Sequence, residues 1–414
     1  MPEDSLVLKG QEDLVNDLVD RLYQSRNLIL TGAPGTGKTT LARLIARKIV
    51  PKEELTADDS QYIGFVQFHP SYDYTDFVEG LRPYTFSGKS SESGEPSAPQ
   101  IGFQRIDGIF KDFCKKAEKV QEDGLKSEKS IRGYIERNSK SRKKTLKSSK
   151  ECFSITSFSD NDITIKHDQK DSNTILFDQF ADICSLNPKD WKTVANYLGL
   201  KDEQGEIASA WAALAKEYVE KTIIPAVFII DEINRGNLSK IFGELFFAID
   251  PDYRGEEGKK YHIQTQYQNL VEEDDIFKAG FYVPKNVYII GTMNDIDRSV
   301  DSMDFAFRRR FSFVEISAED TQYMLDKLES HKDEARKRMN NLNEAIRDTY
   351  GLGKAYEIGA SYFLKINEFD DEKDDVFKSL WDYYLRGVLY EYLRGEDNID
   401  DTMKKFEEAY SYSS

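Results

Sequence analysis

The chain has 414 residues, which is enough for one large domain or for two to three smaller ones. Its 39% of hydrophobic and 32% of charged residues are ordinary for a globular protein, and its net charge of -17 argues against a surface that coats nucleic acid throughout. A local basic patch is still compatible with that balance. The amino-terminal stretch lacks the pattern of a signal peptide, and the longest apolar runs are too short to span a membrane.

Cysteine and histidine are sparse. Cys114, Cys152 and Cys184 and the four histidines are scattered, without a spacing that is typical of metal ligands. This favours reduced structural thiols over a zinc site, so we expect a cytoplasmic protein.

Strand and helix patterns alternate at the start of the chain. Helical spacing at 12–24 is followed by a short apolar strand at 27–31 and an amphipathic helix at 38–50. Apolar strands separated by helices predict an α/β fold with a parallel sheet flanked by helices. Four more strand-sized apolar runs follow, at 64–69, 226–230, 286–292 and 311–316.

The alternation is lost in the middle of the chain, and the end of the chain is mostly helical and acidic. We therefore predict an α/β core over 1–317 with an insertion at about 85–220, followed by a helical subdomain over 318–414. The insertion contains a basic stretch at 131–150, which is either a solvated segment or a contact with nucleic acid or an acidic partner. Glu136 is the single acidic residue of this stretch. Its basic residues are Arg132, Arg137, Lys140, Arg142, Lys143, Lys144, Lys147 and Lys150.

The stretch TGAPGTGKTT contains a complete P-loop pattern between a predicted strand and a predicted helix, which is the context that the motif requires. Its glycines let backbone N–H groups surround a phosphate, and the helix N-terminus adds a partial positive charge. We predict that Lys38 contacts the β- and γ-phosphates and that Thr39 binds Mg²⁺. The predicted nucleotide-binding residues are Gly32, Ala33, Pro34, Gly35, Thr36, Gly37, Lys38, Thr39 and Thr40.

A second apolar strand ends in two carboxylates, Asp231 and Glu232. In P-loop enzymes an acid at this position holds the Mg²⁺, and a second acid beside it activates the attacking water. Two acids at a strand end could also cap the next helix, but the P-loop favours Asp231 as a metal ligand and Glu232 as a catalytic residue. Arg235 follows closely and lies either in the same cleft or on the surface.

Polar side chains also follow the strand at 286–292. Asn294 comes directly after it, and because parallel strands place their carboxyl ends at one edge of the sheet, we expect its amide near the γ-phosphate and the water. The alternative is an asparagine that only forms a turn. Asp297 and Arg298 form either a local ion pair or further contacts with the nucleotide.

Three consecutive arginines, Arg308, Arg309 and Arg310, precede the last predicted strand. An arginine that one subunit supplies to the γ-phosphate of its neighbour greatly accelerates hydrolysis. A surface run of charge is the alternative.

Together these motifs resemble the AAA+ nucleoside triphosphatases, and more specifically the McrB-like family of motor subunits of modification-dependent restriction systems. The resemblance covers roughly residues 5–118 and 220–395, and the Met-Asn-x-x-Asp-Arg motif at 293–298 is this family's signature. The stretches that carry it include FIIDEINRGNLSKIFGEL, FYVPKNVYIIGTMNDIDRSVDSMDFAFRRRFSFVEI and YEIGASYF.

The resemblance implies a P-loop AAA+ core with a C-terminal helical lid, assembled as a hexameric ring with nucleotide at the subunit interfaces. It implies GTP rather than ATP as the preferred substrate, with Mg²⁺, and an McrC-like partner that carries the nuclease and acts on DNA. By position, Asn294 and Asp297 would lie near the water. Some of Asp304, Arg308, Arg309 and Arg310 would reach across an interface, and Arg309 and Arg310 are the predicted catalytic arginines. We expect no nuclease activity in this chain and no membrane contact.

Three functions are compatible with these residues. The first is a ring-shaped GTPase or ATPase that drives a partner nuclease in DNA restriction or phage defence. The second is a AAA+ ATPase that remodels a protein complex, and the third is a nucleotide-gated scaffold. The scaffold is disfavoured because it would not require the water-positioning residues Glu232 and Asn294.

Overall fold

The computed structural model describes residues 9–51, 59–87, 99–139, 153–159, 161–167, 172–186, 191–201, 205–296, 305–370 and 375–411. The chain divides into two compact units. The first combines 1–113, 226–283 and 287–414, and the second combines 114–225 with 284–286.

The centre of the first unit is a sheet of five parallel strands in the order β10-β1-β9-β8-β2. All six residues of β8 and of β9, two of the three inner strands, are buried, as expected for a parallel sheet that is covered on both faces. The sheet and its helices confirm the predicted α/β fold. The strands are β1 (Asn27–Thr31), β2 (Ile63–Gln67), β8 (Ala226–Asp231), β9 (Val287–Thr292) and β10 (Ser312–Glu315).

Helices cover the sheet because their apolar stripes face it. On one face, Leu18 and Leu22 of the first helix and Leu41 and Ile45 of the second pack against the leucines and isoleucines of the strands. The helices of this part are α1 (Lys9–Ser25), α2 (Lys38–Ile49), α3 (Tyr74–Phe77), α9 (Leu238–Phe242), α10 (Leu245–Ala248), α11 (Glu256–Lys260) and α12 (Phe305–Arg308), with 3-10 turns at Ile233–Arg235, Pro251–Tyr253 and Gln268–Leu270.

An antiparallel hairpin, which the sequence analysis did not predict, extends from the first unit. It is formed by β3 (Glu79–Ser87) and β4 (Pro99–Asp107), with Glu79 opposite Asp107 at its base. Most of the hairpin lies within the range of the predicted insertion, although it belongs to the first unit.

The second unit has its own hydrophobic core, built around Phe180, Trp211 and Tyr218. Three antiparallel strands in the order β5-β6-β7 pack against helices. Of the predicted basic stretch, Arg132 and Arg137 lie on a helix, and 140–150 lie outside the described residues. The elements are α4 (Ile109–Lys126, which enters this unit after Phe113), α5 (Glu128–Ser139), β5 (Phe153–Phe158), β6 (Asp162–His167), β7 (Ser172–Leu176), α6 (Phe177–Ser185), α7 (Trp191–Leu198) and α8 (Gly205–Lys221).

The C-terminal part of the first unit is helical. Its core contains Met339, Phe363, Trp381 and Tyr410, and it begins after the edge strand β10. The elements are α13 (Lys332–Arg347), α14 (Ala360–Phe363), α15 (Val376–Leu380), α16 (Arg386–Tyr392) and α17 (Ile399–Ser411), with 3-10 turns at Gln322–His331, Lys354–Tyr356 and Leu364–Glu368 and a π-turn at Trp381–Leu385.

Within the ranges that the structure describes, no helix combines the length and the apolar character needed to cross a membrane.

Candidate nucleotide-binding site

The predicted P-loop connects β1 to α2. Gly35 and Gly37 have φ values of 79° and 74°, in the left-handed region that glycine adopts without strain. The Lys38 ammonium lies 2.7 Å from the carbonyl oxygen of Ala33 and 3.0 Å from that of Gly32. The lysine thus closes the loop on itself and places a buried positive charge at its centre.

The helical C-terminal part contacts the P-loop through the backbone. The Gly359 N–H donates to the Pro34 carbonyl oxygen at 3.0 Å, and the Ser361 N–H donates to that of Gly35 at 3.0 Å. A Cβ atom on Gly359 would lie 2.1 Å from the carbonyl carbon of Gly35, so only glycine allows this approach. The two bonds use carbonyl groups of the loop and leave its N–H groups to the phosphates that such loops bind.

Two threonine hydroxyls converge on Asp231 at the end of β8. Its Oδ1 atom accepts from Thr39 Oγ1 at 2.6 Å and from Thr292 Oγ1 at 2.6 Å. Thr39 and Asp231, the two predicted metal ligands, are therefore neighbours. A hydroxyl and a carboxylate oxygen side by side suit Mg²⁺, which prefers oxygen ligands.

Thr292 is a site residue that the sequence analysis missed. It ends β9, the strand next to β8, and its Oγ1 also accepts from the Glu232 N–H at 3.2 Å. One hydroxyl thus fixes both the Asp231 side chain and the backbone of Glu232. Its position at the end of the strand before Asn294 was the signal available in the sequence.

The Glu232 carboxylate is held by an amide and a guanidinium. Asn294 Nδ2 lies 2.9 Å from Oε1 and 3.1 Å from Oε2, and Arg235 Nε lies 3.3 Å from Oε2. Glu232 itself has a left-handed backbone, with φ 51°, a conformation that is uncommon outside glycine. The structure therefore brings Asn294 directly to the residue that was predicted to activate water.

Asn234 ties the same two loops together. Its Nδ2 donates to the Asn294 carbonyl oxygen at 3.3 Å. The side chain is almost fully buried, and no hydrogen-bond partner of its Oδ1 is present among the described residues. A buried oxygen in this position is available to a ligand or a water.

Asp295 adds a carboxylate beside the P-loop. Burial raises the pKa of Asp295 above its ordinary value, and nearby Lys38 opposes that increase. The Asp295 N–H also points to the Gly32 carbonyl oxygen, at 3.4 Å. The loop after β9 is thus fastened to the P-loop.

The remaining predicted catalytic residues are not gathered here. Asp297 and Arg298 lie outside the described residues. The Arg310 side chain packs within the first unit, where it is 8% exposed and its Nε lies 3.8 Å from Asp250 Oδ2. Burial lowers the pKa of Arg310, with Arg309 adding to the decrease. Arg309, by contrast, is exposed.

Two family models match the chain. Residues 204–311 match the AAA domain of the dynein-related subfamily, and residues 334–400 match the alpha-helical lid domain of McrB. The first match contains Asp231, Glu232, Thr292 and Asn294. The second lies within the helical part that contacts the P-loop.

Two curated proteins are similar to the chain. It is 30% identical over 360 residues to the type IV methyl-directed restriction enzyme EcoKMcrB subunit of Escherichia coli (strain K12), a match covering 85% of this chain and 50% of that protein. It is 29% identical over 171 residues to the type II restriction enzyme BsuMI component YdiS of Bacillus subtilis (strain 168), covering 40% of this chain and 49% of that one.

The chain thus spans about half the length of both curated relatives. With its parallel sheet, its AAA domain and its McrB-type helical lid, the chain is a McrB-like AAA+ protein.

Proposed function

We propose that the chain hydrolyses GTP or ATP with Mg²⁺ as the cytoplasmic motor of a DNA restriction system. The AAA domain and the similarity to McrB support nucleoside triphosphatase activity. The observation that carries the proposal is the contact of Asp231 with Thr39, which joins the end of β8 to the P-loop, beside a Glu232 held by Asn294.

Binding is assigned to the P-loop. Lys38 would exchange its bonds to the Gly32 and Ala33 carbonyl oxygens for the β- and γ-phosphates, a stronger charge-assisted interaction. Thr39 and Asp231 would hold Mg²⁺, which when bound neutralises charge that develops on the phosphate oxygens. Thr292 keeps the Asp231 carboxylate directed to Thr39 and so sets where the metal binds.

Water activation is assigned to Glu232. In the conformation seen here its carboxylate is occupied by Asn294 and Arg235. Each carboxylate oxygen has a further lone pair, so Glu232 can accept a proton from water while these donors hold it in place. The Asn294 amide would then position Glu232 and contact the water or the γ-phosphate.

A trans arginine is assigned to Arg309 rather than to Arg310. Arg310 is tied to its own unit, and its carbonyl oxygen also accepts from Asn27 Nδ2 at 2.9 Å. Arg309 is exposed on the same short turn. An arginine from a neighbouring subunit makes hydrolysis depend on ring assembly. A hexamer is the assembly that the family resemblance implies.

The biological role is inferred from the relatives. Both are named as components of restriction enzymes. We therefore assign this motor an McrC-like partner that carries the nuclease, and DNA as the target of the complex. GTP as the preferred substrate rests on the family resemblance alone, because the P-loop contacts phosphates and does not distinguish the base.

The test is a hydrolysis assay with GTP and ATP in parallel, with and without DNA and the McrC-like protein encoded beside this chain. GTP turnover that the partner raises supports the whole proposal. Preference for ATP would change the assigned substrate and leave the proposed motor function intact. Turnover that responds to a client protein but not to DNA or the nuclease favours a protein remodeller. Binding without turnover under all conditions contradicts the enzyme assignment and leaves a scaffold.

A further inference from the structure

The sheet of the second unit has two faces of opposite character. In β6, Ile163 and Ile165 are buried, and they pair with Ile175 and Asn173 of β7. Asn173 Oδ1 accepts from Trp211 Nε1 at 2.8 Å, which anchors this inner face to α8. Because side chains alternate across a strand, the residues between these positions point to the other side.

That other side, here called the outer face, consists mainly of hydroxyl side chains, with Lys166, Asp162 and Leu176 towards its ends. The Thr164 and Thr174 hydroxyls are 2.9 Å apart across the strands, and Lys166 lies opposite Ser172. Among the described residues, Lys166 has no ion-pair partner. The outer face comprises Thr156, Ser157, Asp162, Thr164, Lys166, Ser172, Thr174 and Leu176, of which all but the half-buried Asp162 and Thr164 are exposed.

The charge of this part of the sequence differs from that of the rest. Residues 114–225 contain 20 Lys and Arg against 18 Asp and Glu, in a chain whose net charge is -17. Six of the basic residues and none of the acidic ones fall within 140–150, directly before β5. The most basic part of the sequence therefore leads into the edge strand of this sheet.

The composition of the outer face indicates which ligand it fits. The cores of protein–protein interfaces are enriched in aromatic residues, Met and Arg, and depleted in Ser and Lys. Sites for single-stranded nucleic acid use aromatic platforms for stacking, and small-molecule sites are concave and mostly apolar. Hydroxyl side chains and a lysine instead match the contacts that proteins make with the phosphates of a duplex, and Asp162 lies at the opposite end of β6 from Lys166.

We propose that the outer face binds the phosphate backbone of duplex DNA, so that the second unit holds the target while the first unit hydrolyses nucleotide. This inference rests on the proposed role in DNA restriction. Outward side chains on one strand repeat at about 6.8 Å, a spacing comparable to that of successive phosphates along a nucleic-acid strand. Contacts of this kind position the duplex without reading its sequence.

The test uses the full chain and a 30-base-pair fluorescent DNA duplex, with anisotropy measured from 50 to 200 mM salt. We compare Lys166→Ala and the double variant Thr164→Val with Thr174→Val against Lys216→Ala. The control removes an exposed lysine from α8 in the same unit. Lys166→Ala should weaken binding about tenfold, as expected for one charge-assisted contact, and should reduce the slope of log affinity against log salt by about 0.9.

The threonine double variant should weaken binding without changing that slope, and Lys216→Ala should change neither. Equal loss in Lys166→Ala and Lys216→Ala would overturn the assignment, since binding would then follow total charge. Tighter binding of an RNA duplex than of DNA, or Lys166-dependent binding of polyglutamate with none of DNA, would also overturn it.

The turnover assay distinguishes this proposal from the proposed function. Nucleotide turnover without DNA binding would contradict only the DNA-binding proposal. Lys166-dependent DNA binding without turnover would contradict only the proposed nucleoside triphosphatase activity.

Discussion

Two clusters of charged residues in the first unit differ in what surrounds them. The strand-tip cluster comprises Lys38, Asp231, Glu232 and Asn294, and it lies at the edge of the sheet with Glu232 partly exposed. The hairpin-base cluster comprises Glu79, Arg105, Asp107 and Lys111, of which Glu79 and Lys111 are fully buried and Arg105 and Asp107 are slightly exposed.

In the hairpin-base cluster every charge has a partner of opposite sign. Glu79 Oε2 lies 2.7 Å from Lys111 Nζ and 2.8 Å from Arg105 Nε, and the side chains of Glu79 and Lys111 are both fully buried. The Tyr267 N–H donates to Glu79 Oε1 at 2.7 Å, and Arg105 also pairs with Asp107. Two cations thus face two anions, and the cluster fastens both ends of the hairpin to the unit.

The pKa values of buried carboxyl groups are shifted in opposite directions in the two regions. Burial alone would raise the pKa of Glu79, but hydrogen bonds from Lys111, Tyr267 and Thr265 outweigh it and lower that pKa to about 2. In the strand-tip region, burial raises the pKa of Asp295 instead. Removing one partner from a compensated buried cluster costs stability, whereas ionisable groups with shifted pKa values at the end of a parallel sheet are candidates for function. The predictions below test this distinction, from the largest expected effect to the smallest.

Glu232→Gln should reduce nucleotide turnover by about 10²- to 10⁴-fold, the range for loss of a general base. Nucleotide binding, measured with a fluorescent analogue, should remain, because the P-loop is unchanged. Glu257→Gln, an exposed position on α11, is the control and should keep full turnover. Turnover retained in Glu232→Gln would remove the residue from the mechanism and make the strand-tip cluster structural.

Lys111→Met should lower the free energy of unfolding by about 3–5 kcal/mol, because it leaves the Glu79 carboxylate buried with half of its compensation. Urea denaturation followed by fluorescence measures the loss. Turnover per folded molecule should stay close to that of the unaltered chain. Lys119→Met, at an exposed position on the same helix, should have little effect on stability. A strong loss of turnover in folded Lys111→Met would show that the hairpin base takes part in function.

Gly359→Ala tests the lid side of the strand-tip region. The added methyl group would overlap the Gly35 backbone, so the lid or the P-loop must shift, at a cost of about 1–3 kcal/mol. Nucleotide affinity should fall by the corresponding factor, about 5- to 150-fold, in equilibrium binding. Gly387→Ala, where a methyl group meets open space on a lid helix, is the matched control and should leave affinity unchanged. Unchanged affinity in Gly359→Ala would contradict the coupling between lid and loop.

The sequence predicts which side chains lie close together at the strand tips because each of them belongs to a short motif. The P-loop is contiguous, and Asp231 and Asn294 each directly follow an apolar strand, so a parallel sheet brings them to one edge. Thr292 escaped prediction because a threonine at a strand end is ordinary, and its role appears only when β8 and β9 are neighbours.

The hairpin base could not be predicted in the same way. Glu79 is 26 residues from Arg105, 32 from Lys111 and 188 from Tyr267, and none of these residues belongs to a recognisable motif. The sheet of the second unit was missed because its three strands are short, and because β5 and β7 are rich in hydroxyl residues and so resemble loops in composition. The hairpin-base cluster and the sheet of the second unit both depend on pairing between separate segments of the chain, which no single stretch of sequence indicates.

Acid pH should separate the two clusters by their effect on stability. The folded-state pKa of Glu79, about 2, is below its ordinary value of 4.5, so the contribution of this carboxylate is complete above pH 4.5 and is lost as the pH falls toward 2. Each proton taken up on unfolding contributes at most about 1.4 kcal/mol per pH unit to the slope of stability against pH.

Glu79→Gln should therefore be less stable at neutral pH, and its unfolding free energy should fall less steeply between pH 4.5 and 2 than that of the unaltered chain. Other carboxylates titrate over the same window, so the comparison is made with Glu272→Gln, an exposed glutamate in the same unit. That control should keep the steeper slope. Equal slopes in the two variants would mean that Glu79 is not held ionised by Lys111 and its neighbours. That result would contradict the charge compensation assigned to the hairpin-base cluster, and with it the contrast to the strand-tip cluster.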